Sequence, residues 1–403
     1  MNPPCFKSNN KHETSNPSEA GQKIMKISFL SSGHLPFDDR IFYHLGKALA
    51  DAGHNVRITS SKADLKSIVE NITMDCFAGD DLKKKEKIIR FCDTLYGFRP
   101  ELIICSEPLP LIAAKRYKKK HAAKSRILYD ITEWYPSKKN LVPFHPLLRL
   151  GIFIKLIIFN IYATRCTDAF IFGEWYKSRP YRFLFPDKPC KFITYYPDLR
   201  YLRYNNATLT DGRLRLSFTG KINFEKGFGN FIRVVKELIL MDKDLNIDIK
   251  VIGWYENKND KSECEKLIQS VKGNVTFTFS ERLPFITFWE SITDTDIFID
   301  LRSDSLENNL SLPIRLFYFA ALGRPFIFTD LRAIRHEADM SNFGFLVKPD
   351  KTSQIAQIIL NYIKDHQLYH NHCTNARRAA EELYNWQIIR PEFLKFIKEF
   401  SSY

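Results

Sequence analysis

The strongest constraint on the fold of this chain is a pattern that runs twice. Short apolar runs such as Lys26–Ser31 (KISFLS) and Glu101–Cys105 (ELIIC) alternate with longer helical stretches. The alternation then restarts at Arg213 with RLRLSFT. Apolar runs of strand length separated by helices imply βαβ units and parallel sheets. A segment rich in Tyr and Asn, near residues 197–212, joins the two blocks and reads as a linker. The expected architecture is therefore α/β, with two Rossmann-like domains facing a cleft. The expected division is a disordered tail over 1–24, a first domain over 25–198, a linker over 199–212 and a second domain over 213–375. A C-terminal helical segment, 376–403, is expected to pack back on the first domain.

Length and composition agree with this division. A chain of 403 residues exceeds one comfortable core, and 44% apolar residues are enough for packed interiors. The first 24 residues are polar, without the apolar run of a signal peptide, so the folded part is expected to start at Met25. The run at 141–163 is the most apolar, but Arg149 and Lys155 interrupt it. No membrane-crossing helix is expected from a run of about 18 uncharged apolar residues. Either burial between domains or docking at a membrane interface fits a helix over 146–165.

The net charge is +14. Nucleic acid, an anionic membrane face and a phosphate-bearing small molecule are the three partners that such a charge suits. The excess is concentrated at Lys83, Lys84, Lys85 and Lys87, and again from Lys115 to Arg126. No zinc-finger spacing, RNA-binding sheet signature or basic zipper accompanies it, so nucleic acid is not expected. The eight cysteines form no Cys-x-x-Cys pair. They read as reduced thiols of a cytoplasmic protein.

Four constellations carry chemistry. The turn after the first strand, Ser31 to Arg40, brings Gly33, His34, Asp39 and Arg40 to the carboxyl end of a parallel strand, where open α/β sheets bind ligands. It lacks the other glycines of a dinucleotide fingerprint. Asp130 and Glu133 follow the strand at 126–130 and can orient hydroxyls or act as a base, or serve as a capping box. Gly220-Lys221-Ile222-Asn223-Phe224-Glu225-Lys226-Gly227 places two lysines where they can converge on one anion. Ser311, Leu312 and Pro313 open a predicted helix over 312–323, with Ser311 as its N-cap and free N–H groups available to an anion. Asp294-Thr295-Asp296 has a metal-binding spacing but reads as a turn into a strand, so no metal site is expected.

Together, the segments SGHLPFDDRIFYHLGKALADAGHNV, YDITEWYPSKKN, YYPDLRYL, FTGKINFEKGF and LSLPIRLFYFAALGRPFI resemble the GT-B glycosyltransferases of the family 4, or glycosyl transferases group 1, type, which build bacterial surface polysaccharides. The resemblance covers roughly residues 25–400. It implies transfer of a sugar from a nucleotide-diphosphate sugar to a glycan or lipid-linked acceptor, without a metal or other cofactor. It also implies that Lys221 and Lys226 contact the donor diphosphate and that Gly33, Gly220, Ser311 and Leu312 line its path. Arg282 and Leu283 would border the base. Lys221, Lys226 and Glu133 are then the expected catalytic groups, and His34, Asp39, Arg40 and Asp130 the expected acceptor contacts.

Two departures from the family stand out. The family carries two Glu residues separated by seven others, the second gripping the ribose; here Leu310 and Tyr318 stand in those places. Where many relatives have Asp-x-His-Glu, this chain has Asp130-Ile131-Thr132-Glu133. A tyrosine hydroxyl can bond to a ribose, but without the charge-assisted strength of a carboxylate. The departures leave open a second function, a degenerate member that binds a partner enzyme or glycan without turnover. A Rossmann-type epimerase fits less well, since neither its glycines nor a Tyr-x-x-x-Lys pair is in place. A cytoplasmic location, peripheral on the inner membrane face, is the expectation that joins the basic first block to a lipid-linked acceptor.

Overall fold

The computed structural model describes residues 23–121, 124–205, 209–210 and 212–402. Residues 1–22 of the expected tail lie outside them, as do 206–208 and 211 of the expected linker. The first sheet contains β1 (Lys26–Ser31), β2 (Asn55–Ser60), β3 (Lys62–Val69), β4 (Ile72–Ala78), β5 (Leu102–Cys105), β6 (Arg126–Ile131), β7 (Ala169–Phe172) and β8 (Cys190–Phe192), in the order β3-β4-β2-β1-β5-β6-β7-β8. The second contains β9 (Arg213–Lys221), β10 (Asn246–Trp254), β11 (Val275–Ser280), β12 (Ile297–Asp300), β13 (Phe326–Thr329) and β14 (Gly344–Val347), in the order β11-β10-β9-β12-β13-β14.

Every neighbouring pair is parallel except β3 with β4. Central strands of such sheets have helices on both faces and read as near-continuous apolar runs. That is why β5 (LIIC), β7 (AFIF), β12 (IFID) and β13 (FIFT) are buried at every position. In each sheet the chain leaves one strand in both directions: β1 lies between β2 and β5, and β9 between β10 and β12. Crevices form outside the carboxyl ends of strands at such reversals. The two reversals place the turn after β1 and the loop after β9.

The β3–β4 hairpin was not expected. Its two-residue turn is Glu70-Asn71, both with positive φ (49° and 64°). Hairpin turns of that shape are usually signalled by Gly or by Asn-Gly, and Glu-Asn gives no such cue.

The boundary expected at 375/376 falls inside the helix His366–Glu382, which packs on the helix Arg315–Ala321 of the second block. The chain crosses back just after it, and the helix Trp386–Ser402 places Trp386, Phe393, Ile397 and Phe400 in one core with Ile27, Phe29 and Leu45. The crossing point is held by the Trp386 N–H on the Pro197 carbonyl (2.8 Å) and by Gln387 Nε2 on Asp198 Oδ1 (2.5 Å).

The apolar run near residue 150 forms a 3-10 turn, Pro146–Leu148, leading into the helix Arg149–Thr164. Contrary to expectation, Pro146–Thr164 is long and apolar enough to cross a membrane by those two criteria, its two cations notwithstanding. It is also mostly uncovered, so burial between domains does not describe it.

Candidate active site between the two sheets

At the carboxyl end of β9 the chain needs two glycines in left-handed conformation. Gly220 has φ 102°, and a Cβ there would lie 3.1 Å from the Arg315 guanidinium. Gly227 has φ 90°, and a Cβ would lie 2.4 Å from the Leu301 carbonyl. The loop between them is therefore pressed against the backbone that follows β12, a close approach that only glycine permits.

This packing gathers cations around one carboxylate. Asp300, the last residue of β12, accepts from Arg302 Nε (2.9 Å) and also from Arg302 Nη2. Arg315 Nη2 is 3.9 Å from the same carboxylate, while Arg315 Nη1 donates to the Thr219 carbonyl and to Thr219 Oγ1 (2.6 Å). Lys226 Nζ donates to Asn308 Oδ1 (3.0 Å). Burial alone would raise the Asp300 pKa, but Arg302 and Arg315 overcome it and hold the carboxyl below its ordinary value. Burial lowers Lys226, and the charge of Arg302 lowers it further. Arg315 is likewise lowered by burial, with Arg302 adding to the effect. Glu225 acts on Lys226 and Glu174 on Arg302 beside Asp300, yet burial and mutual repulsion still lower Lys226 and Arg315, and an arriving anion relieves that repulsion.

Lys221 does not join them. It pairs in register with Trp254 on β10, and its ammonium ion-pairs with Glu256 on that side. The expectation of two converging lysines is thus corrected to Lys226 with Arg302 and Arg315. Arg315 sits within the quoted LSLPIRLF segment, but its strand-end partners are distant in sequence and no local spacing marks them.

The turn after β1 is occupied by a carboxylate of the protein itself. Glu107, just past β5, accepts from the N–H groups of Ser32 (2.8 Å) and Gly33 (3.0 Å) and from Ser31 Oγ (2.9 Å). Successive backbone N–H groups of this kind form an anion cradle. His34 lies in the same group: Nδ1 is 2.7 Å from Asp38 Oδ2, and Nε2 is 3.6 Å from Glu107. Burial alone would lower His34, but Asp38, Glu107 and Glu133 together raise it to about 10, so the imidazole is cationic. Asp38 rather than Asp39 is the cap, accepting from the N–H groups of Arg40 (3.0 Å) and Ile41 (3.1 Å). The cap opens a π-helical segment, Asp39–Gly46, which leads into Lys47–Asp51.

Three of the expected contacts are committed elsewhere. Arg40 makes two 2.7 Å bonds to the two oxygens of Asp130 and a third, at 3.0 Å, to the Ile193 carbonyl. Both side chains are buried, so the pair fastens the first helix to β6 and faces no acceptor. Asp39 accepts from the Tyr195 hydroxyl, and burial with the neighbouring Asp38 raises its pKa to about 7.

Tyr318 is fully buried and stacks on Trp289 at 4.4 Å, so no open face is left for a ribose. It sits on the inward side of Arg315–Ala321, a helix that buries Phe317 and Phe319 beside it. Arg282 is exposed and lies over the Trp254 ring at 5.5 Å, whereas Leu283 is partly buried against the neighbouring core.

Across the two domains, the Glu174 carboxylate accepts the Leu312 N–H, and Trp134 Nε1 donates to Ser311 Oγ (3.0 Å). Ser311 is therefore not the helix cap that its sequence suggests. The regular helix starts at Arg315, after a tight turn in which the Leu316 N–H bonds to the Pro313 carbonyl (3.0 Å). Lys138 reaches Glu225 Oε2 through Nζ (2.7 Å) and Glu307 Oε2 through its N–H (3.0 Å). Glu337 accepts the Trp175 N–H (2.8 Å), and His336 stacks on Trp175 at 4.4 Å. Glu133 is exposed beside this contact, close enough for its charge to act on both His34 and Glu174. Asp294 and Asp296 are bound to Lys250 (2.7 Å) and Arg215 (2.6 Å), and among the described residues no group of acidic, His or Cys side chains is placed to hold a metal.

No protein-family model matches the chain, and no curated protein sequence does. Solved structures do match in fold. Sucrose-phosphate synthase from Thermosynechococcus elongatus superimposes with a TM-score of 0.70 at 14% identity, over 94% of this chain and 99% of that one. HepE from Anabaena, in complex with UDP-glucose, gives 0.66 at 14% identity, over 93% and 100%. A glycosyltransferase from Rickettsia africae gives 0.63 at 12% identity, over 94% and 98%. The fold is thus GT-B, two parallel α/β domains arranged as in glycosyltransferases, over nearly the whole chain.

Proposed function

We propose that this protein transfers a hexosyl group from a nucleotide-diphosphate sugar to a glycan or lipid-linked glycan in surface polysaccharide synthesis. The observation that carries the proposal is the cluster of Lys226, Arg302 and Arg315 beside Asp300, at the strand reversal of the second sheet. A diphosphate leaving as the sugar transfers gains negative charge, and fixed cations that face it stabilise that charge in place. The same three side chains supply what a bound metal would otherwise supply, so the reaction is proposed as metal-independent. HepE was solved with UDP-glucose, and this chain matches its fold over its whole length. A nucleobase would lie by the Arg282–Trp254 pair, and the acceptor on the His34 and Glu133 side of the cleft, on the cytoplasmic face of the membrane.

One observation favours the second reading, a non-catalytic partner of another glycosyltransferase. Glu107 and Glu174 occupy the N–H groups of Gly33 and Leu312, where the donor's phosphates are expected. Sugar transfer assayed with a panel of nucleotide sugars, in wild type and in Lys226→Ala, separates the two. An enzyme loses nearly all turnover in the variant; a binding partner has none to lose in either.

A further inference from the structure

The helix Arg149–Thr164 is inside out. Its buried residues are Asn160, Ala163 and Thr164, and Asn160 is held by Nδ2 donating to the Tyr181 hydroxyl (3.0 Å) and the Tyr135 carbonyl (3.2 Å). Its outer face carries Leu150, Ile154, Ile158 and Tyr162, at 70, 50, 62 and 51% exposure. Residues four apart share one side of a helix, so these four form a continuous apolar stripe turned to solvent. Val142, Phe144, Leu147 and Leu148, on the segment leading into the helix, extend the stripe. Uncovered patches of this size mark contact surfaces.

The charges around the stripe indicate what covers it. Between Trp134 and Thr167 the chain has no Asp or Glu, while Lys139, Arg149, Lys155 and Arg165 fall there beside Lys138, which is paired with Glu225. Lys115, on the adjoining helix Pro108–His121, lies over the outward-facing Tyr162 ring at 4.3 Å. A rim of one sign would repel itself across a two-fold contact with a second copy, but it complements anionic lipid headgroups.

We infer that the face made by residues 142–162 rests in the interfacial layer of an anionic membrane, with the Leu150–Tyr162 stripe among the acyl chains and the flanking cations at the headgroups. The segment that leads into it, Trp134 to Lys138, is the one that touches Ser311, Glu225 and Glu307 of the second domain. Docking therefore brings the mouth of the cleft to the bilayer surface. This extends the transferase reading, in which a lipid-linked acceptor is one substrate, but it is tested without sugar transfer.

The experiment is flotation of the full-length protein with vesicles of neutral phosphatidylcholine alone, or with about one-third phosphatidylglycerol. Wild type is expected to float with the anionic vesicles, less so as salt rises. Ile154→Ser with Ile158→Ser should lower the partition about tenfold or more. Arg149→Glu with Lys155→Glu should remove the preference for anionic lipid. A Tyr162→Trp reporter in the otherwise intact chain should shift its emission to the blue on vesicle addition, a readout that needs no destabilising change. Wild type that stays in solution with both vesicles overturns the inference. So does a stripe variant that floats like wild type, or a wild-type dimer that the stripe variant breaks while neither protein binds vesicles.

Discussion

Glu174, just past the end of β7 in the first domain, holds the backbone N–H of Leu312 in the second. Its carboxylate also pairs with Lys177, and its burial raises its pKa against the opposing pull of that lysine. A donor phosphate that uses the Leu312 N–H must displace this carboxylate. Glu174→Gln keeps the shape and removes the charge. The expected result is nucleoside-diphosphate affinity higher by about threefold to tenfold, or about 1 kcal/mol, read by isothermal titration. Unchanged or weaker binding would mean that the carboxylate does not compete with the ligand.

The cation cluster makes a distinction that the two lysines of the loop would not suggest. Lys226→Ala and Arg315→Ala should each lower sugar transfer by about a hundredfold. Lys221→Ala removes only a surface pair with Glu256 and should cost less than about threefold. Equal losses at Lys221 and Lys226, measured as kcat/KM, would return the diphosphate to the position expected from sequence.

Arg40 and Asp130 are a stability pair. Removing one partner of a buried ion pair leaves an uncompensated charge and costs about 3–5 kcal/mol. Asp130→Ala should therefore unfold at a distinctly lower urea midpoint, while Arg40→Met with Asp130→Leu should recover much of the loss. A single variant that melts like wild type but loses transfer would reassign the pair to the acceptor.

Stability should fall as pH rises from neutral. His34 has its folded pKa raised from 6.5 to about 10, so the stability it contributes is full below about 6.5 and is lost as pH climbs towards 10. Glu337, raised from 4.5 to about 8 by burial and by the charge of Glu174, favours the fold when protonated; its contribution falls between those two values. Both act in the same direction from about pH 6.5 to 8. Glu337→Gln should flatten that part of a plot of Tm against pH, because the amide cannot ionise. A variant with the wild-type slope would remove Glu337 as a source.

The return of the chain to the first domain depends on the Trp386 side chain, which is buried with Phe393 against the first sheet, while its backbone N–H, which any residue there keeps, donates to the Pro197 carbonyl. Trp386→Ala should cost about 3–5 kcal/mol and broaden thermal unfolding, as the two domains lose a shared element. An unchanged, single sharp transition would count against it.

Strand patterning made most of the two sheets legible, because fully buried strands such as β5, β7, β12 and β13 are near-continuous apolar runs. Glycine positions marked the loop after β9, since Gly220 and Gly227 are needed for a backbone approach that their neighbours Lys221 and Lys226 announce. Three things could not be read. The β3–β4 hairpin turns on Glu70-Asn71, which carries no turn signature. Arg302 and Arg315 meet Lys226 only because the ends of β9 and β12 and the start of the helix Arg315–Ala321 converge. The commitments of Arg40 to Asp130, Ser311 to Trp134 and Tyr318 to Trp289 come from side-chain neighbours remote in the chain, so the expected ligand contacts became structural ones.

We propose that the second domain binds the diphosphate of a nucleotide sugar through Lys226, Arg302 and Arg315. This binding is tested most directly by thermal-shift titration of nucleotide sugars against wild type and Arg315→Ala. Saturation at about a hundredfold over the dissociation constant should stabilise wild type by about 2.7 kcal/mol. One nucleotide class should give that shift, and the variant should lose it. The absence of a shift with every nucleotide sugar, or one that Arg315→Ala leaves intact, would contradict the account.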